Sequence, residues 1–139
     1  MSDPKITGIG GVFFKAKSPK KLQQWYAKHL GLILNPYGAT FEMRNAKNPE
    51  KTKYIHWSVF ANDTDYFDPS QKPFMINYRV QEIEKLVNRL KKIGVAVVDE
   101  IKSYPYGKFV HILDPEGNAL ELWEPKEDFF DNMNVPTNK

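Results

Sequence analysis

Asp114-Pro115-Glu116-Gly117-Asn118 is an unbroken run of turn-forming and polar residues between Lys108-Phe109-Val110-His111-Ile112-Leu113 and Ala119-Leu120-Glu121-Leu122-Trp123. Asp, Pro, Gly and Asn each favour turns for a separate backbone reason. Both flanks read as strands, so the stretch predicts a β-hairpin with a five-residue loop. If Leu113 pairs with Ala119, His111 faces Glu121 two residues further out. Glu121 stands in an apolar strand, where a buried carboxylate is costly without a partner. It either turns to solvent or lines a polar pocket.

Working outward, the chain repeats itself. Val12 to Ala16 reads as a strand. Pro19 then opens a helix at a tolerated position, with Ser18 as N-cap. Leu22, Trp25, Tyr26 and Leu30 follow at helical spacing, and Gly31 ends the run. In the second half Phe74 to Val80 is a strand, and Ile83, Leu86, Val87, Leu90 and Ile93 form a helical stripe closed by Gly94. Phe14 matches Tyr78 and Leu22 matches Leu86, in both cases 64 positions on. Three strand-like segments follow each helix: Leu32–Leu34, Thr40–Met43 and Tyr54–Phe60, then Val95–Glu100, Lys108–Leu113 and Ala119–Trp123. Each half is therefore β-α-β-β-β. The α+β class follows, with module one at about 6–60, a polar connector at 61–73, module two at 74–125 and a tail at 126–139. Half-sheets of this size are poor domains alone. Side by side, with helices outside, they enclose a concave surface.

The composition limits the function. A chain of 139 residues makes one or at most two small domains. The net charge of +3 is mild and its lysines are dispersed, which favours neither nucleic acid nor a membrane surface as partner. There is no cysteine, hence no disulfide or thiol chemistry. Met1 to Lys5 has no apolar leader and no stretch is long enough to span a bilayer, so a cytoplasmic, soluble protein is expected. Gly8-Ile9-Gly10-Gly11 precedes a strand rather than a helix, so it is not a phosphate loop. Asp63, Thr64, Asp65 and Asp68 lack the Gly and Glu of a calcium loop and read as a solvated connector.

The tandem β-α-β-β-β pattern, the opening Gly11 to Ser18 with Trp25-Tyr26 and Leu30-Gly31-Leu32, and above all the hairpin Asp114 to Leu122 resemble the vicinal oxygen chelate superfamily. This is the superfamily of glyoxalases, extradiol dioxygenases and resistance proteins of the bleomycin and fosfomycin types. The resemblance covers about Ile6 to Pro125 and implies an open, curved, mixed sheet. It also implies a divalent metal held from the first and last strand of each module. Those positions map onto Gly11, Met75, Glu121 and either Trp57 or Ser58. Gly has no ligating side chain, and a Met thioether is too soft for the usual metals. One strong ligand of four does not hold a metal unless His56 or His111 completes the site. The expectation is a protein with no divalent metal, with a bound divalent metal as the alternative.

Strand alternation proposes a pocket face. Phe13, Lys15, His56, Ser58, Phe60, Asn77, Arg79 and Trp123 would contact a small-molecule ligand, with Met75 on the same face. Val12, Phe14, Ala16, Ile55, Trp57 and Val59 would be core. Lys15, Arg79 and His56 could equally serve structure, and the Tyr104-Pro105-Tyr106-Gly107 turn is either a lid or aromatic packing. His111 and Glu121 form the candidate acid–base couple of a metal-independent enzyme. The alternatives are a metal-dependent lyase or dioxygenase, and a resistance-type protein that sequesters its ligand. A homodimer is expected, with Phe129-Phe130 docking on a neighbouring subunit or folding back on its own chain.

Overall fold

A computed structural model describes residues 3–139. The chain runs β1 (Lys5–Ala16), α1 (Pro19–Leu30), β2 (Leu34–Asn35), β3 (Gly38–Arg44), β4 (Thr52–Ala61), β5 (Phe74–Gln81), α2 (Ile83–Lys92), β6 (Lys102–Tyr104), β7 (Gly107–Leu113) and β8 (Ala119–Pro125). A 3-10 helix over Glu127–Asn132 follows. The strands form one mixed, open sheet in the order β2-β3-β4-β1-β5-β8-β7-β6. This is the α+β arrangement expected from the two β-α-β-β-β halves.

The register carries the repeat. β1 and β5 pair antiparallel at the centre of the sheet, with Gly11 opposite Asn77, Val12 opposite Ile76 and Phe13 opposite Met75. Val12 and Ile76 are 64 residues apart, so the pair maps onto itself and marks a pseudo-twofold. The same operation takes Gly11–Asn77 into Met75–Phe13. Parallel partners agree: Phe13 lies beside Ser58, as Asn77 lies beside Glu121. Ser58, and not Trp57, is therefore the twin of Glu121.

The two helices pack unequally. Ile83, Leu86 and Val87 of α2 bury against Val80, Val110, Ile112 and Leu122 of the sheet. The N-terminus of α2 is closed by Glu124, whose carboxylate accepts from the Ile83 amide at 3.0 Å and the Glu82 amide at 3.3 Å. In contrast α1 buries none of its residues, and its main anchor is Tyr26 against Trp57, ring centroids 5.0 Å apart. Val12 stays 36% exposed because neither helix covers the sheet centre.

Four expectations need correction. Ser18 makes no side-chain capping bond; Pro at the first turn carries that end of α1. The strand placed at Leu32–Leu34 reduces to Leu34–Asn35, since Asn35 turns tightly by accepting from the Tyr37 amide at 2.9 Å. The segment Val95–Glu100 is not a regular strand. Val97 bridges Ile112, but pairing resumes only at Lys102 opposite Phe109, so five residues span what three span on β7. The chain bulges between these points. The connector 61–73 is not merely solvated: Phe67 within it is fully buried against Met75 and Ala119.

Candidate functional site

The hairpin β7–β8 sets Leu113 opposite Ala119 and His111 opposite Glu121. Their side chains meet on the concave face, His111 Nε2 lying 2.8 Å from Glu121 Oε2. Glu121 is 2% exposed. Its burial is sustained by three donors. Beyond His111, Asn77 Nδ2 donates to Oε1 at 2.6 Å from the neighbouring strand, and the Tyr66 hydroxyl donates to Oε2 beside the His111 ring. The second ring nitrogen of His111, Nδ1, lies 2.6 Å from Asp99 Oδ2, while Asp99 Oδ1 accepts the His111 backbone amide at 2.8 Å. Asp99 sits in the bulge before β6, which turns its carboxylate back onto β7.

Both ring nitrogens of His111 thus face carboxylates, and an ionised carboxylate can only accept. Burial acts to lower the pKa of His111. The hydrogen bonds and charges of Glu121 and Asp99 outweigh it, and the value is raised. Burial, then Glu121, push the Tyr66 phenol up, so it remains a protonated donor.

The Asp99–His111–Glu121 line borders a cavity of about 250 Å³ lined by Tyr66, Asp99, Lys102, Tyr104, Tyr106, Phe109 and His111. Tyr104 and Tyr106 stack with centroids 5.3 Å apart, and Tyr66 meets the His111 ring edge-on at 5.3 Å. The Tyr104–Gly107 turn therefore combines aromatic packing with a pocket wall.

The other candidate residues occupy separate parts of the concave face. Phe13 and Phe60 join Phe67, and Phe60 stacks on Tyr66 at 5.4 Å. Lys15 Nζ lies over the Phe67 ring at 5.4 Å. Ser58 donates to the Tyr37 carbonyl at 3.2 Å. His56, Trp123 and Arg79 lie together under the segment that follows β8. Phe130 of that segment is 9% exposed, packed on Tyr54, His56 and Trp123, so it folds back on its own chain. Arg79 donates to Glu127 at 2.7 Å and sits over the Trp123 ring at 5.2 Å. Burial and the Arg79 charge push the His56 pKa down.

Sequence reading missed Tyr66 and Asp99. Tyr66-Phe67 was visible as an aromatic pair in a polar connector. Asp99 was visible as the first acid after the apolar run Val95 to Val98.

The four positions that a metal would need are Gly11, Ser58, Met75 and Glu121. They do not fit one: a missing side chain, a hydroxyl spent on Tyr37, a fully buried thioether and a carboxylate already shared by three donors. Among the described residues, no three His, Cys, Asp or Glu side chains gather as metal ligands.

Comparison with solved structures finds the same fold. A variant of Streptomyces coelicolor methylmalonyl-CoA epimerase in complex with 2-nitronate-propionyl-CoA superposes with a TM-score of 0.63 at 10% identity, over 88% of this chain and 99% of that one. Methylmalonyl-CoA epimerase from Mycobacterium tuberculosis gives 0.57 at 21% identity, over 89% and 91%. A glyoxalase/bleomycin resistance protein/dioxygenase superfamily member from Vibrio splendidus 12B01 gives 0.54 at 12% identity, over 87% and 99%. A sequence comparison with curated proteins finds no match. The family profile described as Glyoxalase/Bleomycin resistance protein/Dioxygenase superfamily matches residues 9–122, most of the two repeated modules, and the chain belongs to that superfamily.

Proposed function

We propose that this chain is a small-molecule-binding protein that works without the superfamily's divalent metal and moves protons with Asp99 as base, backed by His111 and Glu121. One observation carries the reading: the His111 ring bridges two carboxylates at 2.6 and 2.8 Å beside an aromatic cavity. Asp99 is the pocket-facing end. It would accept a proton from an acidic C–H next to a ligand carbonyl on a free carboxylate lone pair and exchange it with solvent in the cavity, while the His111 ring, N–H bonded to Asp99 and Glu121, holds the carboxylate in place. The enolate left on the ligand would be stabilised by the charge of the neighbouring imidazolium, the Tyr66 hydroxyl remaining on Glu121. Aromatic walls would hold a small ligand by its apolar body.

The test is solvent exchange. The protein is incubated in D2O with a panel of 2-oxo acids and α-hydroxyketones, and loss of the α-carbon proton is followed by NMR. Exchange that Asp99→Asn and His111→Gln both abolish supports Asp99 as a base held by His111. Stoichiometric binding without exchange of any compound would sink it. That outcome would favour the second reading, a sequestering protein, which the four aromatic side chains and Asp99 around the cavity also suit.

A further inference from the structure

The Gly8-Ile9-Gly10-Gly11 run has no part in the Asp99–His111–Glu121 line, yet it shapes a second cluster on the same face. A β-carbon on Gly10 would collide with Asn77 Oδ1 and come within 3.1 Å of Arg79 Cγ. One on Gly8 would collide with Lys53 Nζ and lie 3.9 Å from Arg79 Cδ. The glycines leave a bare floor on which an ammonium, a guanidinium stem and an amide lie flat. Arg79 is 5% exposed. Its guanidinium has five N–H donors. Among the described residues, only the Glu127 carboxylate at 2.7 Å and the Tyr54 carbonyl at 3.5 Å accept from it. Lys53 shares the same carboxylate electrostatically: burial and then the Arg79 charge push its pKa down, and Glu127 lifts it. Arg79 is thus paired with one anion, and Lys53 crowds against Arg79 over the same glycines. That anion comes from a short 3-10 helix, and its side chain is half exposed.

The segment carrying Glu127 is a strap. It leaves the end of β8, lays Phe130 on Trp123 and His56, and reaches the far edge of the sheet. There the Asn138 amide donates to the Thr40 carbonyl at 2.8 Å, and the Asn138 carbonyl accepts the Glu42 amide at 2.8 Å. The strap therefore crosses the part of the concave face not open at His111.

We propose that Arg79 and Lys53, over the floor of Gly8 and Gly10, form an oxyanion subsite that Glu127 fills from within the chain. When the strap lifts, the carboxylate or phosphate of a ligand takes the place of Glu127. Planar guanidinium suits either oxyanion in a bidentate pair. The subsite rests on the reading of the concave face as a ligand site, and it lies on the far side of Trp123 from the His111 cavity. It would take the anionic end of a ligand whose reacting end lies beside Asp99.

Benzoate and inorganic phosphate, titrated separately into the full chain, test this. The readout is the indole Nε1–H resonance of Trp123, which donates to the Tyr106 carbonyl at 3.1 Å. Wild type is expected to bind weakly. Glu127→Gln removes the internal anion at a half-exposed position and should tighten binding at least ~10-fold, the scale of one lost charge-assisted contact, and Lys53→Met added to it should reverse the gain. A gain with benzoate alone assigns a ligand carboxylate; a gain with phosphate alone assigns a phosphate. Equal affinity in wild type and Glu127→Gln, or a gain that survives Lys53→Met, would overturn the subsite. Asp99 and His111 do not touch the subsite, so the oxyanion titration repeated on Asp99→Asn, beside deuterium exchange lost in that variant, separates the failure of one reading from the failure of the other.

Discussion

Replacing Glu121 by leucine and by glutamine separates its charge from its role as an acceptor. The carboxylate is 2% exposed and serves Tyr66, Asn77 and His111. Leucine leaves all three donors facing hydrocarbon. His111 can escape by releasing its Nε2 proton, because Asp99 still holds Nδ1. The hydroxyl of Tyr66, 42% exposed at the cavity, can turn to water; the amide of Asn77, 3% exposed, cannot. A buried donor without a partner costs about 1–3 kcal/mol, so Glu121→Leu should lose about 1–3 kcal/mol beyond the charge assistance lost with glutamine. That is a large share of a domain stability of about 5–15 kcal/mol. Glutamine keeps one oxygen for Tyr66 and His111. Its amide NH2 faces Asn77, whose Oδ1 has no partner among the described residues and can turn round to accept it. Only the charge assistance is lost, about 1 kcal/mol. Urea unfolding at pH 7, followed by tryptophan fluorescence, measures both variants. A leucine variant no less stable than the glutamine variant would refute the view that Glu121 is the shared acceptor of the site.

Further outcomes follow from the same geometry. His111 is held above its ordinary value, so the folded protein binds the extra proton; this stabilisation is complete below about pH 6.5, the unfolded histidine value, and is lost as pH rises through the folded value. Wild type should therefore lose stability relative to Glu121→Gln across that window, and parallel unfolding curves at every pH would contradict it. Asp99→Asn keeps an acceptor for the His111 amide but removes a charge, so NMR titration should show a lower ring pKa with the fold intact. Phe130→Ala empties a buried position on the strap; a core Phe→Ala change costs about 3–5 kcal/mol, but loss here is limited to releasing the strap, read as faster amide exchange there with strand amides unchanged. Chelator treatment should leave the melting temperature and the deuterium exchange activity unchanged, and a shift restored by added zinc, iron or manganese would contradict the donor set at Gly11, Ser58, Met75 and Glu121.

The residues that could be read directly were those governed by local rules. Turn formers at Asp114 to Asn118 set a symmetric loop, and a symmetric loop with period-two strands leaves one register, so the opposition of His111 and Glu121 was legible. The 64-residue repeat was legible because matched elements must place apolar residues at matched positions. The sequence also told which metal positions lack ligating side chains. What the amino-acid order alone could not convey depended on contacts between distant segments. Asp99 reaches His111 only because the chain bulges before β6, and a bulge answers to the strand it opposes rather than to its own residues. Tyr66 reaches Glu121 across 55 positions because Phe67 beside it anchors the connector in the core. Arg79 was legible as a cation on the concave face; its pairing with Glu127 was not. Strand alternation gives the side on which a residue points, and only the folded strap determines which group meets it there.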